Sequence, residues 1–313
     1  MGEARGLDGV AFAASAAALY PGLVPADWAS QVARIDGAVL PLWDSLFLEV
    51  PLGGPVGRVD FLAGVATGVG RPGPWSATPL GKHWHPAGRL SACPLLWMEW
   101  DQVPGGWADP LCWVGVSRSP MGGSAPPAET AAALASEVLT LFLPEPAPWL
   151  ATVRRCVQAL RGRGELVHLG SLAPRGIPRW RLSCAVQASA VAGWLHEIGW
   201  PGDPGPVGAA LFAVEAPFAR VGVQLEIGPE LGEYLGIECR EFDDAEAAKA
   251  YAPPLVAAVG ALADLGRDPT PALLGWPAAG GSGRRHGYIK LVRAGSAWSA
   301  KLYLGLTGSL PPA

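Results

Sequence analysis

The chain reads as an α+β protein: a ten-stranded antiparallel β-barrel built from five α-β-β units, with the helices on the outside. Three observations predict it. Short Val-, Leu- and aromatic-rich runs come in pairs across Gly/Pro turns, Ala-rich segments of helical spacing stand before most pairs, and the pairs recur five times along the chain. Strands joined by hairpins are antiparallel, whereas a parallel βαβ fold would alternate single strands with helices.

The elements follow in order. A helix over 26–39 precedes strands 45–50 and 57–66, which turn at P-L-G-G-P. The second pair, 94–101 and 111–117, is separated by a loop holding Pro104, Gly105, Gly106 and Pro110. The interval 67–93 shows no clear helix and carries Pro72, Pro74, Pro79 and Pro86, so it reads as a degraded helix or a functional loop. Helices over 129–142 and 149–160 lead to the third pair, 165–171 and 179–186, which turns at A-P-R-G-I-P. A helix over 187–198 leads to 220–227 and 234–239. Another over 243–265, kinked or split at Pro253 and Pro254, leads to 287–293 and 298–304. Pair starts at 45, 94, 165, 220 and 287 are too irregular for a sequence repeat but suit five copies of one structural unit. One domain over 1–313 is expected. Eight strands already just fill with side chains, so ten predict a lumen able to hold two small substrates.

Composition narrows the function. Half of the 313 residues are hydrophobic and 16% are charged, which excludes a solvated disordered chain despite 42 Gly and 32 Pro. The net charge of −4 offers no attraction for phosphate backbones, so no nucleic-acid partner is expected. No apolar stretch of about 20 residues avoids Pro, Gly and charge together, so no membrane span is expected. The apolar run 10–20 imitates a signal-peptide core, but Glu3 and Asp8 precede it with only Arg5. The five cysteines are an odd number without a C-x-x-C pair, so a reduced, cytoplasmic chain is the natural reading.

In a helix-covered barrel the outward strand face is apolar, so charged strand residues point inward. The inward set comprises Glu49 with Phe47, Asp60, Glu99 with Trp97 and Asp101, and His168. It continues with Arg181 and Ser183, Glu226 and Gln224, Glu238 and Tyr234, Lys290 with Tyr288, and Lys301 with Tyr303. Buried ions need water, partners or a charged ligand. They either pair across the lumen as structure or serve a ligand. Arg181, Lys290 and Lys301, with Tyr288 and Tyr303, suit a phosphate or diphosphate; Asp60 and Asp101, among the carboxylates opposite, are candidates to hold Mg²⁺. Fourteen tryptophans stand against seven phenylalanines. Core packing accounts for most, and a few such as Trp97 and Trp113, lining a cavity, would shield a carbocation through cation–π attraction.

Five α-β-β units closing into such a barrel resemble the PT barrel of the ABBA-type aromatic prenyltransferases. V-D-F-L-A-G-V at 59–65 is similar to the family's early strand, whose inward Asp helps hold Mg²⁺ in metal-dependent members and carries to Asp60. R-W-R-L-S at 179–183 is similar to the strand with a diphosphate-binding Arg and carries to Arg181. Y-I-K-L-V at 288–292 and A-K-L-Y-L at 300–304 are similar to the closing strands and carry to Lys290, Lys301 and Tyr303. Where the family has a further cation on the second strand pair, Arg118 is the nearest substitute. The resemblance implies ionisation of an allylic diphosphate and attack by an electron-rich ring, a small phenol or indole or a peptide Trp or Tyr, with Glu99 or Glu238 as the proton acceptor. Glu49, Trp97, Trp113, His168, Glu226 and Tyr234 would contact substrate. No organic cofactor is implied.

Two other functions stay open: a metal- or acid/base-dependent isomerase or hydrolase using Glu49, Asp60, Glu99, Asp101 and Glu238, and a non-catalytic ligand- or peptide-binding barrel. H-W-H at 83–85 reads as a solvated loop rather than half a metal site, G-G-S-G-R-R-H at 280–286 as a flexible loop, and His196 as a surface residue. Nucleotide-loop, zinc-protease and nucleophile-elbow motifs are lacking.

Overall fold

Alternation of apolar and polar residues in the strands produces a closed sheet. The computed structural model describes residues 7–35, 43–53, 58–66, 90, 93–116, 128–214, 220–239, 241–279 and 283–308. Its strands are β1 (Ser45–Pro51), β2 (Asp60–Ala66), β3 (Leu95–Trp100), β4 (Gln102–Val103), β5 (Gly106–Trp107), β6 (Leu111–Gly115), β7 (Gly164–Ser171) and β8 (Trp180–Gln187). β9 (Arg220–Ile227), β10 (Leu231–Glu238), β11 (Arg284–Ala294) and β12 (Ala297–Thr307) follow. Ten of them close a barrel in the order β1-β12-β11-β10-β9-β8-β7-β6-β3-β2, each antiparallel to its neighbours. β4 and β5 form a separate small hairpin in the loop after β3.

The helices are α1 (Gly9–Leu19), α2 (Trp28–Val32), α3 (Ala128–Phe142), α4 (Ala147–Ala159), α5 (Val191–Glu197), α6 (Pro204–Val214), α7 (Ala245–Leu262) and α8 (Thr270–Gly275). α1 packs on α2, α3 on α4, α7 on α8, and α6 on both α5 and α7, so two helices stand before each of four strand pairs; most of the stretch before β3, 67–89, lies outside the described residues. The core lies between helices and strands: Leu48, Phe61, Leu182, Leu225, Ile289 and Leu302 face outward from the barrel and are fully buried beneath the helices. Among the described residues no helix is long and apolar enough to cross a membrane.

Several expectations are corrected. The run 10–20 is α1, started by Asp8, whose carboxylate accepts from the Val10 and Ala11 amides. α7 is not split at Pro253 and Pro254. Both prolines lie on its exposed side, where water can satisfy the carbonyls they leave free, while Ala248, Ala252, Leu255 and Val259 anchor the buried face. Arg284, Arg285 and His286 belong to β11, paired with β12, and not to a loop. α6 and α8 were not foreseen. The five cysteines carry no disulfide.

Candidate active site

Direct partners in an antiparallel ladder point to the same side, so the register alone sorts the lumen. Glu49 pairs with Tyr303 and with Asp60, Tyr303 with Tyr288, Lys301 with Lys290, and Lys290 with Glu238. Gln224 faces Ser183, Glu226 faces Arg181, Ser183 faces His168, Trp113 faces Trp97, and Leu62 faces Glu99. These residues thus share the inner face, whereas Arg285 and Arg293 of β11 fall on the other face, Arg285 over the Trp276 ring and Arg293 donating to the Asp203 carbonyl.

One group gathers at the seam where β1 meets β12. Glu49, 2% exposed, accepts from Lys301 Nζ and Tyr303 Oη. Burial pushes its carboxyl up, but Lys301 and Lys290 outweigh that and hold it down at about 2. Asp60 beside it is pushed up to about 7, by burial and then by repulsion from Glu49, although Arg58 Nε (3.2 Å) and the Gln102 amide (2.9 Å) both donate to it. Adjacent carboxylates that cannot both ionise cheaply divide in this way. The Tyr303 and Tyr288 rings stack at 4.5 Å, 6° from parallel, and burial first, with Glu49 and Glu238 respectively adding to it, keeps both phenols protonated as donors.

Lys290 stands next to this group, 3% exposed and 5.8 Å from the centre of the Tyr303 ring. Its ammonium donates to Gln224 Oε1 (2.5 Å), and Gln224 Nε2 donates to Glu238 Oε1 (2.6 Å). Among the described residues Lys290 makes no ion pair, unlike Lys301 with Glu49 or Arg181 with Glu226 (3.1 Å). Glu238 is raised, chiefly by burial, against the pull of Lys290. The Arg181 guanidinium lies 3.9 Å over the Tyr234 ring, and Tyr234 is lowered because Arg181, Lys290 and Lys301 outweigh its burial.

A second charged group occupies the β3 end. Arg175, from the β7–β8 turn, reaches across to Asp101 (2.6 Å to each oxygen) and Glu99 (2.5 Å). The other Glu99 oxygen accepts from Trp113 Nε1 (2.9 Å). Glu99 is therefore fully engaged, whereas Glu238 is held by one amide.

Between the groups lies a cavity of about 100 Å³, walled by Phe47, Leu62, Trp97, Trp113, His168 and Tyr288, with Glu99, Glu238, Lys290 and Tyr303 also reaching it. Trp97 lies over Gly64 and Trp113 over Gly170; a Cβ at either glycine would sit 2.7 or 2.5 Å from the ring. The lumen is narrower than expected because paired long side chains fill much of it.

Of the residues singled out from sequence, Trp97, Glu99, Trp113, His168, Glu238, Tyr288, Lys290 and Tyr303 meet at the cavity. Glu49, Asp60, Asp101, Arg181, Glu226, Tyr234 and Lys301 stand on the same inner face without lining it. Arg118 and the H-W-H run lie outside the described residues. Asp60 and Asp101 do not suit Mg²⁺ as arranged, because their oxygens accept from Arg58, Gln102 and Arg175. Among the described residues no cluster of three His, Cys, Asp or Glu could hold a metal. Arg58, Arg175 and the pair His286–Glu241 were not foreseen. For Arg175 the signal was an arginine in a turn beside strands with an excess of carboxylates.

No protein-family model and no curated protein matches the chain. Solved structures do. The 5-dimethylallyltryptophan synthase from Streptomyces coelicolor is 15% identical, covering 85% of this chain and 81% of that one, with a TM-score of 0.44. The same enzyme in complex with DMASPP and Trp gives 15%, 98% and 93%, and 0.46. AnaPT from Neosartorya fischeri gives 10%, 86% and 79%, and 0.46. The closed antiparallel barrel with outer helices stands on its own register, independently of this likeness.

Proposed function

We propose that the barrel transfers a prenyl group from an allylic diphosphate to an aromatic acceptor held in the cavity. The observation that carries the reading is Lys290: a buried ammonium without a carboxylate in contact, at the edge of an aromatic cavity, beside two protonated tyrosines. A buried cation of this kind is stabilised by an incoming anion.

The diphosphate would sit against Lys290, Lys301 and Arg181, taking the place of Glu49 and Glu226 as their partner, with the Tyr288 and Tyr303 hydroxyls donating. The allylic C–O bond breaks with its electron pair going to the diphosphate, whose charge these fixed donors stabilise. The stacked tyrosines and the Trp97 and Trp113 faces shield the allylic cation. An acceptor ring carbon forms the new C–C bond, and its proton passes to Glu238, which a raised carboxyl suits better than the doubly engaged Glu99.

The test is calorimetry and thermal shift with dimethylallyl, geranyl and farnesyl thiodiphosphates, for the wild type, Lys290→Ala and Glu238→Gln. Ligand at about 100 times Kd should stabilise the wild type by about 2.7 kcal/mol. Lys290→Ala should abolish this, while Glu238→Gln should keep binding and lose turnover by about 100-fold or more. No binding of any thiodiphosphate sinks the proposal. A second reading, acid/base chemistry on lumenal carboxylates, is favoured by the split pair Glu49 and Asp60, one held low and one high; turnover insensitive to Lys290→Ala would support it.

A further inference from the structure

We infer that Gln224 is a positioning residue: its side-chain amide stands between Lys290 and Glu238 and keeps them from pairing, which leaves the ammonium for the anionic end of a substrate and the carboxylate for a proton. What the two residues then do rests on reading the lumen as a prenyl-transfer site; the separation itself rests on register and contacts. Lys290 and Glu238 are direct partners on the inner face of the β10–β11 ladder. Opposite charges so placed ordinarily meet across the strands. Among the described residues no ion pair joins them, and both side chains lean instead towards β9. Lys290 crosses β10 at Gly236, where a Cβ would sit 2.7 Å from its Cε, and reaches Gln224, the partner of Gly236 on β9. Glu238 lies over its own β9 partner, Gly222, where a Cβ would sit 2.5 Å from its Oε2. Both glycines clear a path, and the two paths end on the amide of one residue that is 7% exposed.

The residue type matches the task. Lys290 needs an acceptor and finds Oε1 (2.5 Å); Glu238 needs a donor and finds Nε2 (2.6 Å), so the amide meets both in one orientation. A glutamate here would pair with Lys290 and repel Glu238, and an apolar side chain would meet neither. Lys301 and Arg181 already have carboxylate partners in Glu49 and Glu226. A closed Lys290–Glu238 pair would oblige an incoming diphosphate to displace one more buried carboxylate, at a further cost. With the amide between them, Lys290 faces a neutral dipole that an anion outcompetes. Glu238, raised first by burial and then by Glu49 and Glu241, stays raised against the pull of Lys290 and the Gln224 amide.

The test follows the titration of the Glu238 carboxyl by NMR of isotope-labelled glutamate, with the signal assigned by Glu238→Gln. Gln224→Met, of similar length but without the amide, should let the pair close and bring that titration down by about one pH unit or more. Inorganic diphosphate, measured by calorimetry, should bind Gln224→Met about tenfold more weakly than the wild type. Adding Glu238→Gln to Gln224→Met should restore the affinity, because a neutral amide then faces Lys290 again. Gln224→Glu should weaken binding as well, and there Glu238→Gln should not restore it. A Glu238 titration that does not fall in Gln224→Met, or a loss of binding that Glu238→Gln does not restore, would overturn the inference. A wild type that binds no diphosphate counts against prenyl transfer, and the titration still decides whether Gln224 holds the pair apart. Should Gln224→Met fail to fold, Gln224→Leu carries the same expectations.

Discussion

Replacing Asp60 by Asn should remove a pH-dependent strain at the seam of the barrel. Asp60 is 1% exposed, lies opposite Glu49 across the β1–β2 ladder, and is pushed up to about 7 by burial and by that neighbour. In the unfolded chain an aspartate titrates near about 3.9. Between these values the folded state holds a proton that the unfolded state has released, so stability is full below the unfolded value and falls as pH rises towards the folded one. Each unit is worth about 1.4 kcal/mol, which gives a loss of about 3 kcal/mol from about pH 4.5 to pH 7 and a plateau above. Glu49 is held at about 2, so its own contribution is lost only at lower pH, outside this window. Asn keeps an oxygen for the Gln102 amide. The assay is urea unfolding of wild type and Asp60→Asn across about pH 4.5 to 8.5, read as the difference between them so that other groups cancel. The variant should gain on the wild type up to pH 7 and then run parallel. Parallel curves throughout would refute the reasoning, and Glu49→Gln should shift the window to lower pH.

Two further outcomes concern the walls. Arg175→Ala strands Glu99 and Asp101 together beneath the β7–β8 turn and should cost about 3 to 5 kcal/mol in denaturant unfolding. Gly170→Ala places a methyl 2.5 Å from the Trp113 ring, which must move; a loss of about 1 to 3 kcal/mol with a changed tryptophan emission is expected.

The lumen was legible in the sequence because a strand turns alternate residues to alternate faces, and most charges beneath the helix layer take the interior; Arg285 and Arg293 of β11 instead face outward, against Trp276 and the Asp203 carbonyl. Glu49, Lys290 and Tyr303 follow from that rule alone. Arg175 and Arg58 escaped it because they project from a turn and from the residues before a strand, where no period applies, and their long side chains carry charge into the barrel from its end. α6 escaped because P-G-P-V-G opens it with residues that usually interrupt helices, although Pro204 falls on its first turn. The partners of each cation were equally invisible. Pairing depends on strand order, and Glu49 meets Lys301 only because β1 closes onto β12.

That closure carries a consequence for the making of the protein. Glu49 and Lys301 are 252 residues apart, and Tyr303 and Glu49 are 254 apart. β12, made after the other barrel strands, therefore completes both the sheet and the charged cluster in one event. Until β12 arrives, β1 has an open edge and a buried-type carboxylate without its cation, a state prone to intermolecular pairing. Truncation into β12 would thus reopen the β1 edge and leave Glu49 without Lys301 and Tyr303 at once.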